Sequence, residues 1–327
     1  MRFRTELKIP EFSYRIEHAD TIVAIGSCFA ENISRMMKRL KFNILENPFG
    51  VIYNPASIYN SLELIKSSKK FEEQDLLFYQ GEYHSFYHHS RFSNSELKEC
   101  LERINLKLEE TKKYLNAGNS IIITYGTAYV YEYIERGIVV SNCHKIPTKE
   151  FNRYFLSYDE CCACISQTVE LIKSLNAEAK IIFTVSPVRH LKDGFAENQV
   201  SKSTLLLSVD KAVKKFENCY YFPSYEIMMD DLRDYRFYDK DLVHPNDIAV
   251  NYIWEKFSEA LLSLNCKEVI TEVEKIVRAA EHRVRNPQNK SHQSFLSAQL
   301  KMIEELEKKY SHLNFEEEKA LFIKQVL

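Results

Sequence analysis

The chain has 327 residues, 45% of them hydrophobic and 13% aromatic, which supports a sizeable core and excludes a largely disordered protein. Lys and Arg number 44 against 46 Asp and Glu, and this net charge of −2 excludes the strongly basic footprint of a general nucleic-acid binder. Only seven glycines occur, which excludes collagen-like and glycine-linker readings and most turn-rich all-β ones.

The first ten residues (MRFRTELKIP) carry charges where a signal peptide needs an apolar stretch. Residues 21–25 (TIVAI) predict a buried strand ending at Gly26. A helix is predicted over 28–40, with Phe29, Ile33, Met36, Met37 and Leu40 on one broad face. Further helices are predicted over 55–67 and 95–115. Residues 120–125 (SIIITY) predict a second strand ending at Gly126, and the run 121–137 turns charged too soon to span a bilayer. A helix over 157–175 leads to a third strand over 180–185 (KIIFTV), which ends at Ser186 and Pro187. A helix over 201–218 and a short strand over 220–222 follow. The last helix of the body is predicted over 245–264, with Pro245 in its first turn, Asn246 and Asp247 at its positive end, and a stripe of Ile248, Tyr252, Ile253 and Phe257.

Strands alternating with helices imply βαβ units and a mainly parallel sheet covered on both faces. With right-handed crossovers this is a three-layer α/β/α sandwich. Beyond Cys266 the composition changes to charged amphipathic helices over 267–283 and 292–310, separated by a turn around Pro287. The expected division is a body over 1–264 and a helical extension over 265–327, which either packs on the body or serves a homo-oligomer. Clean heptads are too few for a coiled coil. The eight cysteines, with no export signal, read as reduced thiols and point to a cytoplasmic protein without a membrane partner.

Gly26 and Gly126 stand at the carboxyl ends of predicted strands, the edge at which open α/β sheets bind ligands. Ser27 follows Gly26 and opens a helix, so its hydroxyl is presented at that edge beside helix-start N–H groups suited to an oxyanion. The plainer reading is an N-cap serine. Cys28 is a competing nucleophile favoured by the same helix start. A serine needs a base and the base an orienter. Asp241 and His244, three residues apart before the last helix, suit both roles, with His244 as general base and Asp241 fixing its tautomer. Their plainer reading is a solvated turn. His190 lacks an acid at such spacing.

Other segments hold chemistry-bearing residues. His84, His88 and His89 lie in six residues, together with Arg91. They lack a helical ligand face and a local carboxylate, so a substrate-pocket loop is favoured over a metal site. Arg189, leaving the third strand, suits either a carboxylate or phosphate ligand or an ion pair with Asp193 or Asp230. Asn142 and His144 lie downstream of Gly126. Cys161 and Cys164 form a Cys-x-x-Cys within a predicted helix, the wrong setting for a redox motif.

The order strand–Gly–Ser–helix near the start and Asp-x-x-His before the last body helix resembles the SGNH (GDSL-type) esterases and lipases. Longer segments resemble the GSCFA-domain family: GSCFA at 26–30, NPFG at 47–50, YNP at 53–55, the 84–92 loop, TVSPVRH at 184–190, YFPSYEIMMD at 221–230 and DYRFY at 234–238. The resemblance runs from about residue 3 to 310. It implies a bacterial protein with an SGNH-hydrolase-like, flavodoxin-like fold. It also implies an oxyanion hole from the N–H groups of Ser27 and Gly50, with Thr127 where the pattern normally has an asparagine. Asn54, in the YNP segment, joins His84, His88, His89, Arg91, Arg189 and His190 as an expected substrate contact. The function expected is a serine esterase or acyltransferase acting on an O-acyl ester of a sugar or polar metabolite, through Ser27, Asp241 and His244. No cofactor and no metal are expected, and the partner is a small-molecule or glycan ester rather than nucleic acid. The alternatives are a catalytically weak SGNH-like module that binds a glycan or metabolite, and an assembly protein using its C-terminal helices.

Overall fold

The structure, a computed structural model, describes residues 4–282 and 289–325, so the turn expected around Pro287 lies outside the described residues. In chain order the first half contains β1 (Thr21–Gly26), α1 (Cys28–Arg39), β2 (Asn43–Glu46), α2 (Pro55–Lys66), β3 (Leu77–Tyr79), β4 (Glu82–His84), α3 (Leu97–Ala117) and β5 (Ser120–Tyr125). There follow β6 (Tyr129–Tyr133), β7 (Ile138–Val140), β8 (Phe151–Phe155), α4 (Tyr158–Leu175), β9 (Lys180–Val185), α5 (Phe195–Lys215), β10 (Cys219–Tyr221), the single turn α6 (Ser224–Glu226) and α7 (Asp247–Leu261). The C-terminal helices are α8 (Leu264–Glu281), α9 (Lys290–Lys309) and α10 (Glu316–Ile323).

The apolar runs at β1, β5 and β9 become the three inner strands of a five-stranded sheet of order β2-β1-β5-β9-β10, with every neighbour pair parallel. Successive side chains point to opposite faces, so a strand apolar at every position must be covered twice. Val23, Ile25, Ile121, Ile123, Ile181 and Phe183 meet α2, α3, α4 and α5 through residues such as Leu62, Ile104, Val169 and Leu205. Ile22, Ala24, Ile122 and Ile182 face α1 and α7 through Phe29, Ile33, Ile253 and Phe257. The body is therefore a three-layer α/β/α sandwich. Each fully buried Ile or Phe contributes about 1.5–3 kcal/mol relative to exposure.

From β1 the chain steps outward to β2 and then returns across β1 to β5, so strand order reverses between β1 and β5. Doubly wound sheets bind ligands outside the carboxyl ends of their strands at such a point. Several elements were not expected from the sequence. The edge strand β2 has four residues and the β3–β4 hairpin two strands of three, with Gln80 and Gly81 in the left-handed turn region. A separate antiparallel sheet of order β7-β6-β8 stands beside the cleft. Helix α5 begins at Phe195 rather than at 201.

Helices α8, α9 and α10 share a core of Val273, Ile276, Leu296, Ile303, Phe315 and Phe322. They pack on the body beside α1. Arg39 binds Glu281 through two bonds of 2.7 Å, Lys41 reaches Glu318 at 2.7 Å, and His18 Nδ1 meets His312 Nε2 at 3.0 Å.

Candidate active site

The site starts where β1 and β5 end side by side. A Cβ at Gly26 would stand 2.2 Å from the Thr124 carbonyl oxygen, and its φ of +143° suits glycine. Ser27 leaves the strand and caps α1: its Oγ accepts the Phe29 N–H at 3.3 Å. Its N–H donates to Thr124 at 3.1 Å, and the residue is 1% exposed. The segment after Gly50 is stitched to the same place. Ile52 N–H donates to the Gly26 carbonyl at 2.9 Å, and the Tyr53 carbonyl accepts the N–H groups of Gly126 at 2.7 Å and Thr127 at 3.1 Å. The open side of Gly126 looks onto Tyr53, Ser27 and His190. A Cβ there would be 3.2 Å from Tyr53 Cδ1 and 3.5 Å from both Ser27 Cβ and His190 Nε2.

Across the cleft, Asp241 and His244 sit on an exposed turn in which Leu242 has φ +60°. The Asp241 Oδ1 accepts the N–H groups of Val243 and His244, each at 2.9 Å, and Oδ2 meets His244 Nδ1 at 2.6 Å. The His244 N–H first, then the Val243 N–H and the imidazole, hold the Asp241 carboxyl down at about 2. The ionised carboxylate fixes the Nδ1–H tautomer of a neutral His244, leaving Nε2 as an acceptor. Among the described residues no hydrogen bond joins His244 to Ser27.

Asp241 and His244 border a cavity of about 600 Å³, lined also by Cys28, Tyr53, Asn54, Thr127 and His190, whereas Ser27 lies beneath Cys28 and is not itself a lining residue. Tyr129, Tyr131 and Arg153 from the β6–β8 sheet form a further wall, with the Arg153 guanidinium 4.0 Å from the Tyr129 ring centre and paired with Asp193. His190 makes an edge contact to Tyr53 at 5.5 Å. Burial, with a smaller effect of Lys202, pushes its imidazole down to about 4, so it is neutral at neutral pH.

The three expected oxyanion N–H groups are all committed within the fold. Ser27 donates to Thr124, Gly50 to Asn47 at 2.7 Å, and Thr127 to Tyr53. The Thr127 hydroxyl is also engaged, accepting from Tyr129 N at 3.1 Å and lying 3.2 Å from Ser201 Oγ. This corrects the expectation for the N–H groups of Ser27, Gly50 and Thr127: strand-end and turn ladders take the donors that a lone motif leaves open. Two donors near the strand ends, the Cys28 N–H and the Asn54 amide, belong to residues that line the cavity. No other described residue accepts the Cys28 N–H at the start of α1. Asn54 is 7% exposed and caps α2 with its Oδ1 on the Ser57 N–H at 2.7 Å. That bond fixes the amide orientation, and among the described residues no acceptor holds its Nδ2.

Of the other expected substrate contacts, Arg189 and His190 line the cavity, whereas His84, His88, His89 and Arg91 do not. His88 is fully buried, bonded to Ser85 Oγ at 2.8 Å and flanked by the rings of Phe49, Phe71 and Phe92. His84 binds Ser93 and the Tyr79 carbonyl and packs its ring at a tilt against His144, His89 accepts from the Arg91 N–H, and Arg91 reaches the Asn47 carbonyl. This loop is a structural support behind the cavity. Asp193 pairs with Arg153 and Asp230 with Arg233, so neither acid meets Arg189. The Arg189 guanidinium instead holds Gln199, Tyr225 and the Phe195 carbonyl. Asn142 lines the cavity and binds the N–H of His144, whose ring is held by Ser85. Burial pushes the Cys161 thiol up to about 12, and all eight cysteines are free. Among the described residues no group of three or more His, Cys, Asp or Glu side chains is arranged to hold a metal.

A groove of about 750 Å³ runs between the N-terminal arm and α7. Within it Lys256 binds Glu6 and Arg15 the Ala260 carbonyl, and it lies away from the strand ends. The sequence reading did not single out Lys202, which is fully buried on α5. Its signal is its phase: it shares the buried stripe of Ser201, Leu205, Val209 and Ala212.

A reversing parallel sheet, a capping serine at its carboxyl edge and a carboxylate–imidazole pair across the cleft define a doubly wound α/β protein with one polar cavity at its switch point. The chain belongs to the GSCFA family, whose model matches residues 21–257, and the model of the GSCFA C-terminal domain matches 273–327. Among solved structures it is similar to a Clostridium thermocellum family 3 carbohydrate esterase, with 8% identity and a TM-score of 0.34 over 80% of this chain and 98% of that one. No curated protein matches the chain. Among the described residues no helix is long and apolar enough to cross a membrane.

Proposed function

We propose that this protein is a serine esterase or acyltransferase of SGNH type, acting on an O-acyl ester of a sugar or other polar metabolite. The observation that carries the reading is the Asp241–His244 pair at 2.6 Å on the cavity that Cys28 and Asn54 also line. His244 Nε2 takes the Ser27 proton as Oγ bonds to the acyl carbon. The resulting oxyanion is received by the Cys28 N–H and Asn54 Nδ2. Collapse expels the alcohol oxygen, which takes the proton from His244. Water or an acceptor hydroxyl then gives its proton to His244 as its oxygen attacks the acyl carbon, and collapse of this second intermediate releases Ser27 Oγ, which takes the proton back from His244. Tyr53, Tyr129 and Tyr131 give the cavity aromatic faces suited to a sugar ring. The eight free thiols support a cytoplasmic address, and the family resemblance supports a bacterial origin.

A second reading is a glycan- or metabolite-binding module of low turnover. The observation that favours it is the set of committed N–H donors at Ser27, Gly50 and Thr127. Release of acetate from O-acetylated sugars by the wild type, abolished in Ser27→Ala, supports the esterase. Saturable sugar binding by both proteins without acetate release favours the binding module.

A further inference from the structure

Lys202 is fully buried, and among the described residues no carboxylate pairs with it. A buried ammonium carries a large desolvation cost unless its donors are well placed. Here Nζ donates to the Gly126 carbonyl at 2.7 Å and to the Ser186 carbonyl at 2.6 Å. These carbonyls belong to the first residues beyond β5 and β9, and the two strand ends are joined by Ser186 N–H to Tyr125 at 2.8 Å. The preceding Ser201 accepts the Ala128 N–H at 2.8 Å and contacts the Thr127 hydroxyl. One turn of α5 therefore holds the whole 126–128 segment from behind, while the open side of Gly126 faces Ser27 and His190.

We propose that Lys202 is a positioning residue of this cavity: its ammonium clamps the two strand-end turns that face Ser27 and supplies a pH-dependent positive charge behind the seat of the acyl oxygen. The proposal rests on the esterase reading for its catalytic consequence, but not for its electrostatic one. The charged and titratable groups facing Lys202 are Arg189, Asp193 and His190 from the loop after β9 and Cys28 from α1. Burial first, and then Arg189, push the Lys202 ammonium down to about 7. Its charge thus falls away across neutral pH, and the clamp loosens with it. The same charge disfavours protonation of His190.

The test uses the full chain and Lys202→Met, with Lys202→Gln as a second variant in case the first folds poorly. Labelling of Ser27 by a fluorophosphonate is expected to slow about 100-fold in the variants, and the downward inflection of the wild-type rate above about pH 7, where the Lys202 charge is lost, is expected to vanish. A purely structural lysine would lower thermal stability and leave that inflection in place. His190 is read separately by NMR, and its titration is expected to move upward in the variants. Wild-type Lys202 is read by the titration of its 13Cε resonance. Labelling within about 2-fold of wild type with an unmoved His190 overturns the proposal, as does a wild-type Lys202 titrating above pH 10. If wild type takes no label while His190 moves as expected, the esterase reading fails and the electrostatic role of Lys202 stands.

Discussion

The two sides of the cavity are built differently. Ser27 lies at the end of the central sheet, 1% exposed, with its N–H, carbonyl and hydroxyl all bonded to backbone. His244 stands on a surface turn, its side chain 50% exposed, and Asp241 is the partner that fixes its ring. The floor is thus positioned by long-range strand pairing, which one polar substitution at the rim leaves intact. The rim is positioned by three short bonds within four residues. Catalysis should therefore fail sharply at the rim without loss of fold, whereas damage to the floor should appear first as loss of stability.

The largest effect is expected from Asp241→Asn. It removes the carboxylate that fixes the imidazole tautomer, and acyl transfer should fall about 10⁴-fold. The melting temperature should stay within about 2 °C of wild type, because the pair is exposed. A fall in stability with activity kept would break the contrast between floor and rim. A smaller effect is expected from Asn54→Ser. Serine still caps α2 but removes the Nδ2 donor, so the rate should fall about 10²-fold with KM little changed. Asn54→Ala should add a stability loss of about 1 kcal/mol through the lost cap. Equal activity in Asn54→Ser and wild type would remove Asn54 from the oxyanion site.

Acid sharpens the contrast further. Burial pushes His18 and His144 down to about 4 and His88 to about 3, so all three are neutral when folded. Unfolded, each protonates near 6.5, and the unfolded chain binds more protons as pH falls below that value. Stability should then fall with pH between about 6.5 and 4, by up to about 1.4 kcal/mol per unit for each histidine. The Asp241 carboxyl is held down at about 2, so its bonds to His244 are kept through this window and lost only as pH falls through about 2. Urea unfolding at pH 6.5, 5.5 and 4.5 should show a steadily falling midpoint. An unchanged midpoint would mean that these histidines already carry protons in the fold.

The same difference decides what could be read in the sequence. β1, β5 and β9 were legible because strands covered on both faces are apolar at consecutive positions. β2 and the β6–β8 sheet were not, since short strands at an edge or with one solvated face carry polar residues such as Glu46, Glu132 and Arg153. Helix α10 was missed because Glu316, Glu317 and Glu318 mask its two core residues on either side, Phe315 and Phe322. At the site, Asp241 and His244 were legible because their geometry is local. The fate of the Gly50 and Thr127 donors depends on Asn47, Tyr53 and Ser201, contacts that form only when distant segments meet. Lys202 reads as an ordinary helical lysine until its neighbours in the buried stripe are considered.

The central claim is that Ser27 is an activated nucleophile served by His244. Its most direct test is intact-mass analysis after fluorophosphonate treatment of wild type, Ser27→Ala and His244→Ala. A single adduct on wild type, absent in Ser27→Ala and strongly slowed in His244→Ala, is the predicted result. No adduct on folded wild type, or an adduct that persists in Ser27→Ala, would contradict the account.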